Sequence, residues 1–406
     1  MATIMTAPGQ TAAISVFTGP LVEELGISRS MLSASYLVGT LAGAVALPFV
    51  GRALDRFGVG RVMAVIGAVF GSVLMGLSFV TDIVGLTAGF VGIRMAGQGA
   101  LGLAATTAVA VHVTRRRGFA LGIKTAVGST CISLAPVLLE RLISQYGMST
   151  TWRIEAVAVW AVVIPIALLI FGRGRRTVAV GPAEEGAEAA DEAEDTAART
   201  APAEASWTSR EAVRTLMFWV IAAGLATSGL LTTALNFHQI AALGEQGLDP
   251  TRAALNFLPQ AAATMGVTLG VGALADRVAP KYGLVLAMLF LGGALSTLSV
   301  LDSGWTALLY GALLGAAGGT MMATEAAAYS HYFGTAHIGA IRGIATTISV
   351  ASTALGPLVL SLGHGFVGSY GGAAQLLAVI PASVIVLALL VRPPVRRTDA
   401  SVAVET

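Results

Sequence analysis

The residues Val62 to Val80 run without a single charge and are apolar on every side of any helix or strand they could form. That pattern recurs along the chain and constrains it more than any other feature. A helix that crosses a bilayer needs about 20 apolar residues at about 1.5 Å rise each. Twelve segments meet that need, with limits near 2–22, 31–50, 61–81, 83–113, 118–142, 152–172, 215–241, 251–274, 280–301, 304–333, 338–363 and 371–391. Charged residues make up only 11% of the chain, against about 25% in soluble domains. The expected fold class is therefore an all-α integral membrane protein of twelve transmembrane helices. A membrane β-barrel is excluded, because its strands alternate apolar and polar residues. Met1 to Leu21 has no basic n-region and no clear cleavage site, so it reads as the first spanning segment.

Lys and Arg fix the expected orientation. With both termini inside, the inner side receives Arg52, Arg56, Arg61, Arg115, Arg116, Arg117, Lys124, Arg173, Arg175, Arg176, Arg199, Arg210, Arg214, Arg277, Lys281, Arg342, Arg392, Arg396 and Arg397, which is 19 of the 24 basic residues. The outer side receives Arg29, Arg141, Arg153 and Arg252. Arg94 is left within a span. The stretch Thr177 to Ser206 is rich in Ala, Glu and Asp and too poor in large apolar residues to fold alone. It reads as part of a flexible inner linker, 173–214, between a first bundle at 1–172 and a second at 215–391, with a cytoplasmic tail at 392–406.

The two halves look related. Gly51-Arg-Ala-Leu-Asp-Arg56 follows the second segment and Gly272-Ala-Leu-Ala-Asp-Arg277 follows the eighth. Arg115-Arg-Arg-Gly-Phe-Ala-Leu-Gly-Ile123 opens the fifth and His337-Ile-Gly-Ala-Ile-Arg-Gly-Ile344 opens the eleventh. Internal duplication of this kind is a habit of transporters. Twelve spans, a long central linker and the repeated G-x-x-x-D-R together resemble the major facilitator superfamily. Gly51, Asp55, Arg56, Gly58 and Arg61 match its signature well; the second copy keeps Gly272, Asp276 and Arg277 but is degenerate. Ser15 to Ser30, Arg115 to Ile123 and Tyr332 to Gly343 are similar to the monocarboxylate and oxalate–formate porter group. The resemblance implies two pseudo-symmetric six-helix bundles and a cavity lined by the first, fourth, seventh and tenth helices. It also implies that Asp55 caps the eleventh helix near Ile338 in the outward-open state, with Asp276 mirroring it toward the fifth. Gly51, Asp55, Arg56, Gly58, Arg61, Asp276 and Arg277 would then be conformational latches.

Polar residues inside the spans are the candidate site. Arg94 lies about eleven residues into the fourth segment, ~16 Å deep, where a charge needs water or a partner. Its surroundings, Arg94-Met-Ala-Gly-Gln98, are similar to the superfamily's helix-four Arg motif, which implies anion binding or proton linkage; the structural alternative is bonding to backbone carbonyls or to Gln98. Glu325 is an acid within the tenth segment and a candidate proton carrier, or it pairs inward. Asn236, His238 and Gln239 form a candidate lining or gate in the seventh, or an interfacial cluster facing outer-loop water. Gln10, Asn256, Gln260 and Tyr329 are further lining candidates, each with interhelical hydrogen bonding as the plain alternative. Lys124 snorkels, and Cys131, the lone cysteine, reads as a small core residue. No Walker loop and no metal-spaced cluster is present, so neither enzyme chemistry, a cofactor nor a metal is expected. The resulting expectation is a monomeric secondary transporter in the cytoplasmic membrane, moving a small organic anion such as a monocarboxylate with a proton. A proton-antiporting exporter of drugs or metabolites is the alternative, and a non-transporting receptor the other class. The expected partners are a small-molecule solute, protons and lipid, with no nucleic acid.

Overall fold

The computed structural model describes residues 1–112, 117–170, 207–274, 277–301, 304–334 and 337–394. All regular structure among them is helical. Lipid offers no hydrogen bonds to a backbone, so only a helix satisfies each peptide group within its own segment. Nine helical stretches among the described residues are long and apolar enough to cross a membrane. The first, fourth and fifth expected segments are helical too, and each departs from a plain apolar helix.

The first segment is broken. A 3-10 turn, Ile4–Gly9, contains Pro8, which cannot donate a hydrogen bond and crowds the carbonyl one turn back. Gln10 turns extended (φ −84°, ψ 147°) before α1 (Thr11–Ser15). A second break at Val16 and Phe17 precedes α2 (Thr18–Leu25). Then come α3 (Arg29–Phe57) and α4 (Val59–Leu77). The fourth segment starts as α5 (Ile83–Ile93), widens to a π-helix over Arg94–Leu101, and resumes as α6 (Gly102–His112). It is followed by α7 (Arg117–Tyr146), which carries charges near both ends, and α8 (Met148–Ile170).

After the linker come α9 (Ser209–Ala212), α10 (Leu216–Glu245), α11 (Pro250–Leu255), α12 (Phe257–Leu274), α13 (Pro280–Leu298), α14 (Trp305–Phe333), α15 (Ile338–Val367), α16 (Tyr370–Leu377) and α17 (Val379–Leu390). The linker and tail assignments at 171–206 and 395–406 lie outside the described residues, as do Arg115, Arg116, Asp276 and the side chain of Lys124. Trp207 to Arg214, read from sequence as linker, is ordered. Thr208 and Glu211 form a reciprocal cap on α9, and the Trp207 N–H donates to the Phe333 carbonyl at 2.9 Å.

The described residues fall into two compact units. The first holds everything before residue 171 together with Asn236–Gly244 and Leu248–Phe257; the second holds the rest. The long helix α10 is therefore shared, its last part belonging to the first unit. Within the first unit, Gly39 and Gly43 stand four apart on α3. A Cβ on Gly39 would lie 2.8 Å from the Phe90 carbonyl oxygen, so the glycines let α3 meet the fourth segment backbone to backbone. Within the second unit, the hydroxyls of Thr264 and Thr268 of α12, also four apart, lie 3.0 and 3.2 Å from the carbonyl oxygens of Gly315 and Gly319 on α14, each sharing its one proton with the carbonyl a turn back on α12. Matched intervals of four fix the register of that helix pair.

The charged signature differs from a simple loop. The apolar criterion stops at Gly51, but α3 runs on to Phe57 because nothing in Arg52–Phe57 opposes a helix once the segment meets water. Gly51 has open space where a Cβ would go, whereas Gly58 makes the turn to α4 at φ 82°. Asp55, Arg56 and Arg61 are exposed. Gly58→Ala places a side chain in the left-handed region and is expected to cost about 1 kcal/mol or more. A lowered unfolding temperature of the purified variant in detergent checks it.

Candidate functional site

Arg94 is 5% exposed and sits at the junction where α5 becomes the π-helix. Three groups hold it. Its Nε donates to Thr40 Oγ1 at 3.1 Å and its Nη1 to the Gly9 carbonyl at 3.0 Å. Its Cζ lies 4.6 Å from the centroid of the Tyr36 ring, a cation–π geometry. Each partner follows from local structure. Thr40 lies between Gly39 and Gly43 on the face of α3 that meets the fourth segment, and Tyr36 is one turn earlier. Gly9 ends the Pro8-containing turn, just where the chain turns extended and its carbonyl leaves the helical ladder. A π-helix, rare and concentrated at functional sites, then carries the chain onward from Arg94.

None of these partners is an acid. Among the described residues no carboxylate pairs with Arg94. The guanidinium is oriented by neutral oxygens and an aromatic face, and its charge stays uncompensated. A buried ion in that condition costs several kcal/mol unless something of opposite charge joins it.

The surrounding groups extend this centre. Tyr36, fully buried, shares a 2.6 Å hydrogen bond between its hydroxyl and Thr11 Oγ1. Its ring meets Phe237 of α10, with centroids 4.7 Å apart. The next residue, His238, is 1% exposed, and its Nε2 lies 3.3 Å from Ser33 Oγ. Gln10 stands between the two residues of the first segment that touch this cluster, Gly9 and Thr11, and donates from Nε2 to Thr6 Oγ1 at 3.3 Å. Arg94, Gln10, Asn236 and His238 thus fall in the first unit, with the aromatic pair Tyr36–Phe237 joining Arg94 to His238. Gln239 is fully buried with neither amide atom hydrogen-bonded. Asn256 belongs to the same unit and is 3% exposed.

Gln98 is exposed, and Arg94 bonds to Thr40 and Gly9 rather than to it. The remaining candidates lie in the second unit. Glu325 Oε1 is 3.9 Å from Arg342 Nη2 on α15, both side chains partly exposed, which is the inward-pairing alternative named above. Tyr329, one turn further along α14, is fully buried among aromatics including Phe218, with its hydroxyl unbonded. Gln260 is half-buried, and its carbonyl accepts from the Thr264 hydroxyl at 2.8 Å. Arg277 is exposed.

Sequence reasoning missed four contributors. Tyr36, Thr40 and Phe237 look like ordinary span residues, and Gly9 contributes only a carbonyl. The spacing of Gly39 and Gly43 is the one signal that marks the working face of α3. Glu155 was also passed over, because the apolar criterion starts its segment at residue 152; α8 starts at Met148, which carries Glu155 about two turns inside.

Comparisons with known proteins agree with this architecture. No curated protein matches the sequence closely enough to report. Two solved structures share the fold at low identity. A nucleoside transporter, NupG, has a TM-score of 0.71 and 12% identity, covering 96% of each chain. A bacterial homolog of the human lysosomal transporter Spinster, captured inward-facing and occupied, has a TM-score of 0.62 and 15% identity, covering 96% of this chain and 93% of that one. The family model of the Major Facilitator Superfamily matches residues 1–357, so this all-helical membrane protein belongs to that transporter superfamily.

Proposed function

We propose that the protein is a secondary transporter of a small organic anion, of the monocarboxylate kind, moved together with a proton across the cytoplasmic membrane by alternating access. One observation carries the reading: Arg94 is a buried guanidinium oriented by Thr40, Gly9 and Tyr36 and paired with no acid among the described residues. A carboxylate matches the planar fork of a guanidinium and supplies the missing charge. His238, with its Nε2 3.3 Å from Ser33 Oγ, adds a buried polar group next to Phe237. The exposed charges at Arg52 to Arg61 and at Arg277 fit latches at the membrane surface rather than solute contacts. Glu325 already faces Arg342 at 3.9 Å, and a partly exposed ion pair is worth little and is readily exchanged.

The test is uptake into proteoliposomes of radiolabelled lactate, acetate and oxalate, preceded by a thermal-shift screen of organic acids, sugars and amines. A ligand present at a hundredfold its dissociation constant stabilises the folded state by about 2.7 kcal/mol. The expected result is stabilisation by acids and uptake that rises when the outside is made acidic. Stabilisation by amines alone, with efflux driven by an inward proton gradient, would replace this reading with that of a proton-antiporting exporter.

A further inference from the structure

Arg94 is a buried cation without an anion; the same unit holds the converse. Glu155 of α8 is 7% exposed, and its Oε2 is enclosed with no hydrogen-bond partner. Three residues earlier on the same helix face, Trp152 is fully buried, and its Nε1–H is also without an acceptor. The Trp152 ring lies flat on Phe17, with centroids 3.8 Å apart and planes 16° apart. Phe17 is the residue at which the first segment breaks between α1 and α2. A carboxyl and an indole N–H, both enclosed and both unsatisfied, therefore line the helix face that rests on that break.

Among the described residues no cation forms an ion pair with Glu155. The elements packed against α8 include α4, α7 and the Ile4–Gly9 turn. The turn has no titratable residue, and the one charge of α4 is Arg61, exposed near that helix's start. On α7, Glu140 is in electrostatic reach of Asp249, and Arg141 and Tyr146 are exposed. The side chains of Arg117 and Lys124 lie outside the described residues. On α8 itself Arg153 turns away, its Nε donating to Ser78 Oγ at 3.2 Å and its Cζ lying 4.9 Å from the Phe79 ring. Glu325, by contrast, has Arg342.

We propose that Glu155 is the group that binds the co-transported proton, an inference that rests on the transport reading above. A lone carboxylate in this enclosure costs far more than the neutral acid does. Taking a proton from hydronium on one side breaks one O–H bond there, leaving water, forms one on the carboxyl, and lets the enclosure stay shut. Releasing that proton to water on the other side leaves a charge that is relieved only when water reaches it. The break beneath Trp152 is where the enclosure parts. Arg94 and Glu155 then divide the work: one group for the anion, a separate one for the proton.

Two measurements on the purified full-length protein test this. Infrared difference spectra over a pH titration are expected to show the carbonyl stretch of a protonated carboxylic acid, lost in Glu155→Gln and shifted in Glu155→Asp. In proteoliposomes loaded with lactate, Glu155→Gln is expected to keep lactate counterflow and lose all stimulation by a pH gradient, while Glu155→Asp keeps both. Absence of a band that Glu155→Gln removes overturns the proposal, and so does gradient-driven accumulation by Glu155→Gln at the wild-type level. If the wild type moves no acid at all, the transport reading fails, and the infrared band still decides whether Glu155 holds a proton.

Discussion

Arg94→Ala abolishes uptake while the protein still inserts, purifies and unfolds at a temperature no lower than that of the wild type. The two halves of this result come from opposite entries in the energetics of one side chain. Toward the proposed solute, Arg94 offers a positive charge that no acid among the described residues compensates. Removing one member of a buried, hydrogen-bonded charge pair costs about 2–5 kcal/mol. At about 1.4 kcal/mol per factor of ten, that is a loss of more than tenfold and up to more than a thousandfold. Toward the fold, the substitution gives up two hydrogen bonds to neutral oxygens and one cation–π contact. It also removes a buried charge that no acid compensates, a cost of several kcal/mol. A structural arginine would show the reverse: lost stability first, and lost transport only as a consequence. Arg94→Lys separates charge from geometry. A lysine is a point charge that cannot hold the Thr40 hydroxyl and the Gly9 carbonyl in one planar fork, so it retains part of the uptake. Wild-type uptake by Arg94→Ala removes the residue from the solute site.

How much of this site was legible in the sequence depends on how each residue signals. Arg94 stood out because a charge inside an apolar run has few innocent explanations. Glu325 stood out for the same reason, yet it lies 3.9 Å from Arg342 of the next helix, and a run of residues on one helix does not announce a partner on another. Glu155 did not stand out, because hydropathy marks where apolar residues begin, and α8 begins four residues earlier than that. The same bias shortened α3, which carries the charged signature as its last two turns rather than as a loop. Tyr36 and Phe237 were invisible for a different reason. They are far apart in the chain, and an aromatic in a span announces burial but not its partner. The π-helix had no signal beyond the two glycines, Gly97 and Gly99, within it. The helical membrane fold needed only apolar run lengths and the repeated G-x-x-x-D-R; the candidate site needed tertiary contacts that no run length encodes.

Glycine is abundant in this chain, and one substitution made at two glycines is expected to act with opposite signs. A Cβ at Gly9 would lie 2.6 Å from the Ile93 carbonyl oxygen and 2.8 Å from the Gln98 backbone nitrogen. Both are backbone atoms of the fourth segment, and neither can swing aside as a side chain can. Overpacking of a core commonly costs 1–3 kcal/mol, and with two backbone walls Gly9→Ala falls at about 3 kcal/mol or above. The same shift moves the Gly9 carbonyl away from Arg94 Nη1, so transport falls along with stability. Gly51, within α3, has nothing within 4 Å of where its Cβ would be. There alanine only restricts the unfolded chain and favours the helix, by about 0.5–1 kcal/mol. Thermal unfolding in detergent and proteoliposome uptake, run on both variants, are expected to show Gly9→Ala lower than wild type in each and Gly51→Ala equal or more stable with transport intact. A wild-type unfolding temperature and wild-type uptake for Gly9→Ala would mean that the first segment does not press on the turn that carries Arg94. The carbonyl that orients the guanidinium would then have to come from elsewhere.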